Sequence, residues 1–184
     1  MSDTTSSLLP PLRRVVTAHN AEGLAAVESN ILLEPLDMPA VPGAQSAAIW
    51  VTTDGLPVND NNTHDDGAKR VIEDPSNFGL VHPSGTNLRS TELEPGAVTP
   101  LHRTSSLDYN ILVSGELVLI TEDGSETYLK NPGDTVIQRG TMHAWKNPSK
   151  TQATRWITVL VAANPAIVNG KPLAPDFVID KPTV

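Results

Sequence analysis

The chain contains no cysteine. That excludes disulfides, thiolate metal sites and a cysteine nucleophile. Positive charge is scarce: 13 Lys and Arg stand against 21 Asp and Glu, a net charge of −8. Phosphate recognition needs clustered basic side chains, and the Arg13–Arg14 pair is too small to make a patch. Neither nucleic acid nor an anionic membrane surface is expected as a partner. No apolar run approaches the length of a membrane span. The opening MSDTTSSLLPPLRR carries an acidic residue and lacks an apolar core, so it does not read as a signal peptide. A soluble cytoplasmic protein is the expectation. Internal repeats and low-complexity tracts are missing as well. Almost no window is long enough for a helix either, because 16 prolines and 12 glycines are scattered through the chain and an interior proline costs a helix about 3 kcal/mol.

What is there reads as strand. The 184 residues suffice for one domain with a sizeable core. LRRVVTA and SAAIWVTT are β-branched, strand-like runs, whereas residues 20–35 are ambiguous between a short helix and a hairpin, with Gly23 weakening the helix. Residues 54–77 form the most polar segment, predicted as a long surface loop with a helical turn near DDGAKRVI. From residue 79 onward, short strands alternate with turn signals: TNLRSTEL, VTPLHRT, DYNILV, ELVLIT, ETYLK, TVIQ, MHAWKN and RWITVLVA. EDGS between two of them suits a type I′ hairpin. This regular spacing predicts an all-β antiparallel sandwich or barrel. The expected organisation is a flexible arm over 1–11, one domain over 12–165, and a proline-rich tail over 166–184 lying on the surface.

Strand parity then places the polar residues. Alternate residues of a strand share a face, so His102 and Thr104 point together, as do Asp108, Asn110 and Leu112, with Tyr109, Ile111 and Val113 opposite. A hairpin closing at Ser105 and Ser106 would set Asp108 beside His102. His143 and Trp145 share a face of a later strand, so two imidazoles and a carboxylate could converge inside a barrel. Competing readings stand beside these. The histidines could be hydrogen-bonded barrel residues, Asp108 the partner of Arg103, and Arg89 either a bidentate clamp for a substrate carboxylate or a solvent-facing side chain. Gln138 and Trp145 either line the pocket or pack around it, and His82 reads as a loop residue.

PGAVTPLHRTSSLDYNILVSG and GDTVIQRGTMHAWKN resemble the two sequence motifs of the cupin superfamily. Gly96, His102, Thr104, Asp108 and Gly115 fall on the spacing of the first. Gly133, Gln138, Gly140, His143 and Asn147 fall on the second, with a shortened spacer and Gln138 in the place of a proline. The likeness is firm over 85–162. Thr104 stands where the motif has its second histidine, and Asp108 where it has glutamate. The wording of both stretches resembles small single-domain cupins of bacterial and fungal secondary-metabolite clusters.

That resemblance implies a cupin double-stranded β-helix, or jelly roll, with additional N-terminal strands and a pocket inside the barrel. It implies His102, Asp108 and His143 as the catalytic residues and as the ligands of one divalent metal (Fe, Zn, Mn or Ni), with a metal-free pocket as the alternative. Two histidines and a carboxylate with open positions suit a non-haem Fe(II) oxygenase or a zinc-held water. Arg89, Thr104, Asn110, Gln138 and Trp145 would bind substrate, and Leu112 and Leu117 would complete an apolar lining. The expected function is a small-molecule enzyme of secondary, polyketide-type metabolism, working by non-oxidative acid–base chemistry: dehydration, decarboxylation, isomerisation or cyclisation. The alternatives are an Fe(II)-dependent oxidoreductase on the same three ligands and a non-catalytic ligand-binding barrel. A homodimer through edge strands is expected.

Overall fold

A computed structural model describes residues 8–19, 21 and 24–178. Among these residues fifteen strands run in chain order: β1 (Leu12–His19), β2 (Ala25–Leu33), β3 (Leu36–Asp37), β4 (Ala44–Thr52), β5 (Thr86–Leu93), β6 (Leu101–Arg103), β7 (Ser106–Ser114), β8 (Leu117–Thr121), β9 (Glu126–Leu129), β10 (Thr135–Arg139), β11 (His143–Lys146), β12 (Thr154–Ala162), β13 (Ile167–Val168), β14 (Lys171–Pro172) and β15 (Asp176–Val178). Two antiparallel sheets face each other, one ordered β10-β7-β12-β5-β4-β3 and the other β15-β6-β11-β8-β9. This is the jelly-roll class expected from the motifs. The parity reading of β7 holds residue by residue: Ser106, Asp108, Asn110 and Leu112 are buried, and Tyr109 and Val113 are exposed. Leu93, Leu112, Leu117, Trp145 and Trp156 fill the space between the sheets. The four motif glycines, Gly96, Gly115, Gly133 and Gly140, all take positive φ. Gly115 also needs the room, since a Cβ there would stand 2.9 Å from Ala153 O.

Several local expectations are corrected. The ambiguous 20–35 stretch is a strand from Ala25 on, pairing with β1 as a hairpin ribbon; Asn20, Glu22 and Gly23 lie outside the described residues. At EDGS only Gly124 has positive φ. A type I′ turn needs positive φ at both central residues, and Asp123 instead accepts bonds from Thr121 Oγ1, Ser125 N and Ser125 Oγ. The polar 54–77 loop contains the expected short helical turn, Gly67–Lys69, and ion pairs clamp it. Arg14 holds Asp66 with two bonds of 2.7 Å, Arg70 holds Asp60 at 2.9 Å, and both guanidinium groups flank the Trp50 ring at 5.8 Å. The reading of β6 and β7 as one hairpin is also wrong, because these strands lie in opposite sheets and the chain crosses between them at Thr104–Ser105.

The ends are tied in where they are described. Leu8 N donates to Gln45 Oε1 at 3.0 Å and Arg155 Nη2 to Pro10 O at 2.7 Å, while residues 1–7 of the arm lie outside the described set. The tail does more than cover the surface. β15 is the edge strand of the five-stranded sheet and sets Phe177 opposite His102 in register. Residues 179–184 lie outside the described set.

Candidate active site

β6 and β11 pair so that His102 and His143 stand directly opposite each other. Their rings sit 4.3 Å apart between centroids. Each ring is oriented by the backbone two residues before it: His102 Nδ1 lies 2.9 Å from Pro100 O, and His143 Nδ1 lies 3.0 Å from Thr141 O. A carbonyl only accepts, so Nδ1 carries the proton in both, and each Nε2 keeps a lone pair. Burial, reinforced by the neighbouring His102, pushes the His143 pKa down to about 3. Burial lowers that of His102 too. Both imidazoles are therefore neutral at physiological pH.

The facing wall belongs to the six-stranded sheet. Arg89, Thr158 and Asn110 are successive register partners on β5, β12 and β7, and Asp108 follows one inward position along β7. All four line the same cavity as the histidines, together with Thr104, Trp145, Trp156 and Leu160. Burial pushes the Asp108 carboxyl up to about 6, with the Ser106 hydroxyl working against that, and its Oδ1 has no hydrogen-bond partner. Thr158 Oγ1 donates to Asn110 Oδ1 at 2.8 Å, which leaves Asn110 Nδ2 buried and unpaired. Arg89 donates to the Ser46 hydroxyl through Nε at 3.0 Å and Nη2 at 2.7 Å.

The expected site residues thus divide. His102, His143, Asp108, Arg89, Thr104, Asn110 and Trp145 all face one cavity. Gln138 does not. Its Nε2 donates to Thr141 O at 2.7 Å and its Oε1 accepts from Thr141 Oγ1 at 2.9 Å, so it braces the carbonyl that orients His143. Leu112 and Leu117 pack in the core behind the cavity. Asp108 neither orients a histidine nor pairs with Arg103, whose Nε donates to Ala174 O at 2.9 Å.

For a metal, the histidine pair offers two neutral nitrogens whose outer N–H groups are held by carbonyls, the arrangement usual behind metal-bound imidazole. The three-ligand set does not form, because among the described residues no group of three or more His, Asp or Glu side chains is gathered closely enough to hold an ion. Asp108 stands on the opposite sheet from the pair.

Sequence reasoning missed Phe78 and Phe177. These are the chain's 2 phenylalanines, their rings lie 5.5 Å apart, and Phe177 lies 6.1 Å from His102. Both line the cavity. Their rarity, in segments otherwise polar or proline-rich, was the available signal.

Comparison with known proteins gives a family match over residues 89–160 to the cupin domain. The chain is 33% identical over 181 residues to phomopsin biosynthesis cluster protein D of Diaporthe leptostromiformis, covering 93% of this chain and 90% of the relative. It is 31% identical over 169 residues to oryzines biosynthesis cluster protein J of Aspergillus oryzae, covering 89% and 90%. It is 32% identical over 160 residues to the cupin-domain-containing oxidoreductase fogC of Aspergillus ruber, covering 86% and 76%.

Proposed function

The chain belongs to the cupin family, and from that premise we propose that it is a small-molecule enzyme of a biosynthetic cluster that moves protons without net oxidation. The observation that carries the reading is the buried, half-unpaired carboxyl of Asp108, set in one cavity with two neutral imidazoles and an unpaired amide donor. A carboxyl titrating near 6 is matched to proton transfer near neutral pH. Asp108 takes a proton from a carbon or hydroxyl beside a substrate carbonyl and returns it at the other end of the rearranging unit. Asn110 Nδ2 donates to the carbonyl oxygen as charge builds there. With its pKa near 3, His143 is a poor proton acceptor. His143 and His102 instead accept hydrogen bonds through Nε2 from a substrate hydroxyl and fix its position. Of the three expected catalytic residues, Asp108 therefore carries the proton. The free space of about 100 Å³ is on the scale of an engineered cavity of about 150 Å³ that holds benzene, so one small ring or a short chain fits.

A second reading has its own support. The histidine pair would supply two nitrogens to a divalent ion, which would bring Lewis-acid or redox chemistry, and several relatives, fogC among them, are named oxidoreductases. Turnover in oxygen-free buffer without reductant separates the two. The acid–base reading expects the aerobic rate to persist and Asp108→Asn to lower kcat by about 10²–10⁴-fold. Turnover that needs oxygen and tracks iron content would hand the site to the oxidoreductase reading.

A further inference from the structure

Arg89 is the charged group in the cavity that this chemistry leaves unused. Its Nε and Nη2 both rest on one neutral acceptor, Ser46 Oγ, and that hydroxyl donates on to Ser90 O at 2.6 Å. Among the described residues no carboxylate forms an ion pair with it. The buried structural arginines of this chain behave differently: Arg14 holds Asp66 at 2.7 Å and Arg155 holds Glu92 at 2.9 Å. Arg89 itself is half-buried, and that burial lowers its pKa; withdrawing a guanidinium even partly from water without a counter-charge is costly. Asn110 Nδ2 is a second unmet donor on the same wall, in the same register row. Beside them Trp156 and Leu160 present apolar surface to the cavity.

We propose that the cavity takes an organic acid: its carboxylate pairs with Arg89, a second oxygen accepts from Asn110 Nδ2, and its hydrocarbon part lies against Trp156 and Leu160. This rests on the cavity being the substrate site and adds the class of substrate. It also places the acid group. Ser46, which draws the Arg89 side chain, lies on β4, whereas Asp108 lies on β7, on the other side of β5 and β12. The carboxylate is thus held toward the β4 side of the cavity, with Asp108 on the β7 side.

The test uses the purified full chain and the fluorescence of Trp145 and Trp156, which line the cavity. The probes are 4-oxopentanoate and its methyl ester. The acid should bind at least about 10-fold more tightly than the ester, since a charge-assisted pair supplies that much. Arg89→Met should erase the preference and Arg89→Lys keep part of it. Without ligand, Arg89→Met should melt no lower than wild type, because a half-buried charge without a counter-ion is gone; a purely structural arginine would lower the melting temperature. Equal binding of acid and ester in the wild type, or a preference that survives Arg89→Met, overturns the assignment while leaving the cavity as a binding site. Binding of neither probe overturns both. If Arg89→Met fails to fold, that counts against an unpaired binding group, and the wild-type comparison of acid with ester decides.

Discussion

Asp108→Asn should make the protein more stable and less active at once. The folded chain buries this carboxyl to 4% exposure, gives one of its oxygens no partner and raises its pKa to about 6. An unfolded aspartate titrates near 3.9. Between those values the folded state binds the proton more tightly than the unfolded one, so stability rises as pH falls. Above pH 6 the ionised group costs the fold about 2–3 kcal/mol; the cost fades below pH 6 and is gone below about pH 4. Asparagine keeps the shape and removes the charge. At pH 7 the variant should therefore gain about 2 kcal/mol, which for a chain of this size is a Tm rise of about 4–8 °C. At pH 4 wild type and variant should melt within about two degrees of each other. Circular-dichroism melts across pH 4–8 read this directly. A variant less stable than wild type at pH 7, or a gap that does not change with pH, would refute the argument from burial. Stability gained where turnover is lost is the expected sign of a charge kept for chemistry.

The pairing of His102 with His143 was legible because both positions lie on motifs whose strand parity aims them inward, and parity is a local property of sequence. The inward face of β7 was legible for the same reason. Which sheet a strand joins is not local. β6 and β7 follow each other closely and still part company across the barrel, so Asp108 ended opposite the histidines instead of beside them. β15 is three residues long and pairs with β6 from far along the chain, so the rarity of Phe177 could mark it as unusual but not set it opposite His102. Gln138 has the right inward parity, but the turn carrying Thr141 folds back onto its amide before it can reach the cavity. The missing counter-ion of Arg89 is the least legible feature, because it depends on what every facing strand fails to supply. The clamp on the 54–77 loop was hidden likewise, since its ion pairs and the Trp50 stack join segments far apart in sequence.

Two further substitutions test the scaffold behind the site. A Cβ at Gly67 would stand 2.5 Å from the Trp50 ring, so Gly67→Ala should push the 54–77 loop off β4; limited proteolysis should then cut there, and an unchanged digestion pattern would discount the clamp. Asn147, at the end of the second motif, should be the more costly loss. Its side chain is 0% exposed. Its Nδ2 bridges Leu93 O at 3.1 Å, Glu94 O at 3.0 Å and Gln152 O at 2.8 Å, and its Oδ1 accepts from Ser149 N at 3.0 Å. One amide thus fastens the end of β5 to the connection that follows β11, the strand of His143 and Trp145. Alanine would strand several buried backbone groups at once, and such losses cost about 1–3 kcal/mol each where no water can enter; partial relaxation brings the expected total to about 3–4 kcal/mol. Asn147→Asp should be worse than alanine, because it turns an oxygen anion toward three carbonyl oxygens. Urea unfolding measures both. A loss under about 1 kcal/mol for Asn147→Ala, or an aspartate variant more stable than the alanine one, would show that the knot is not what anchors β11 and the histidine it carries.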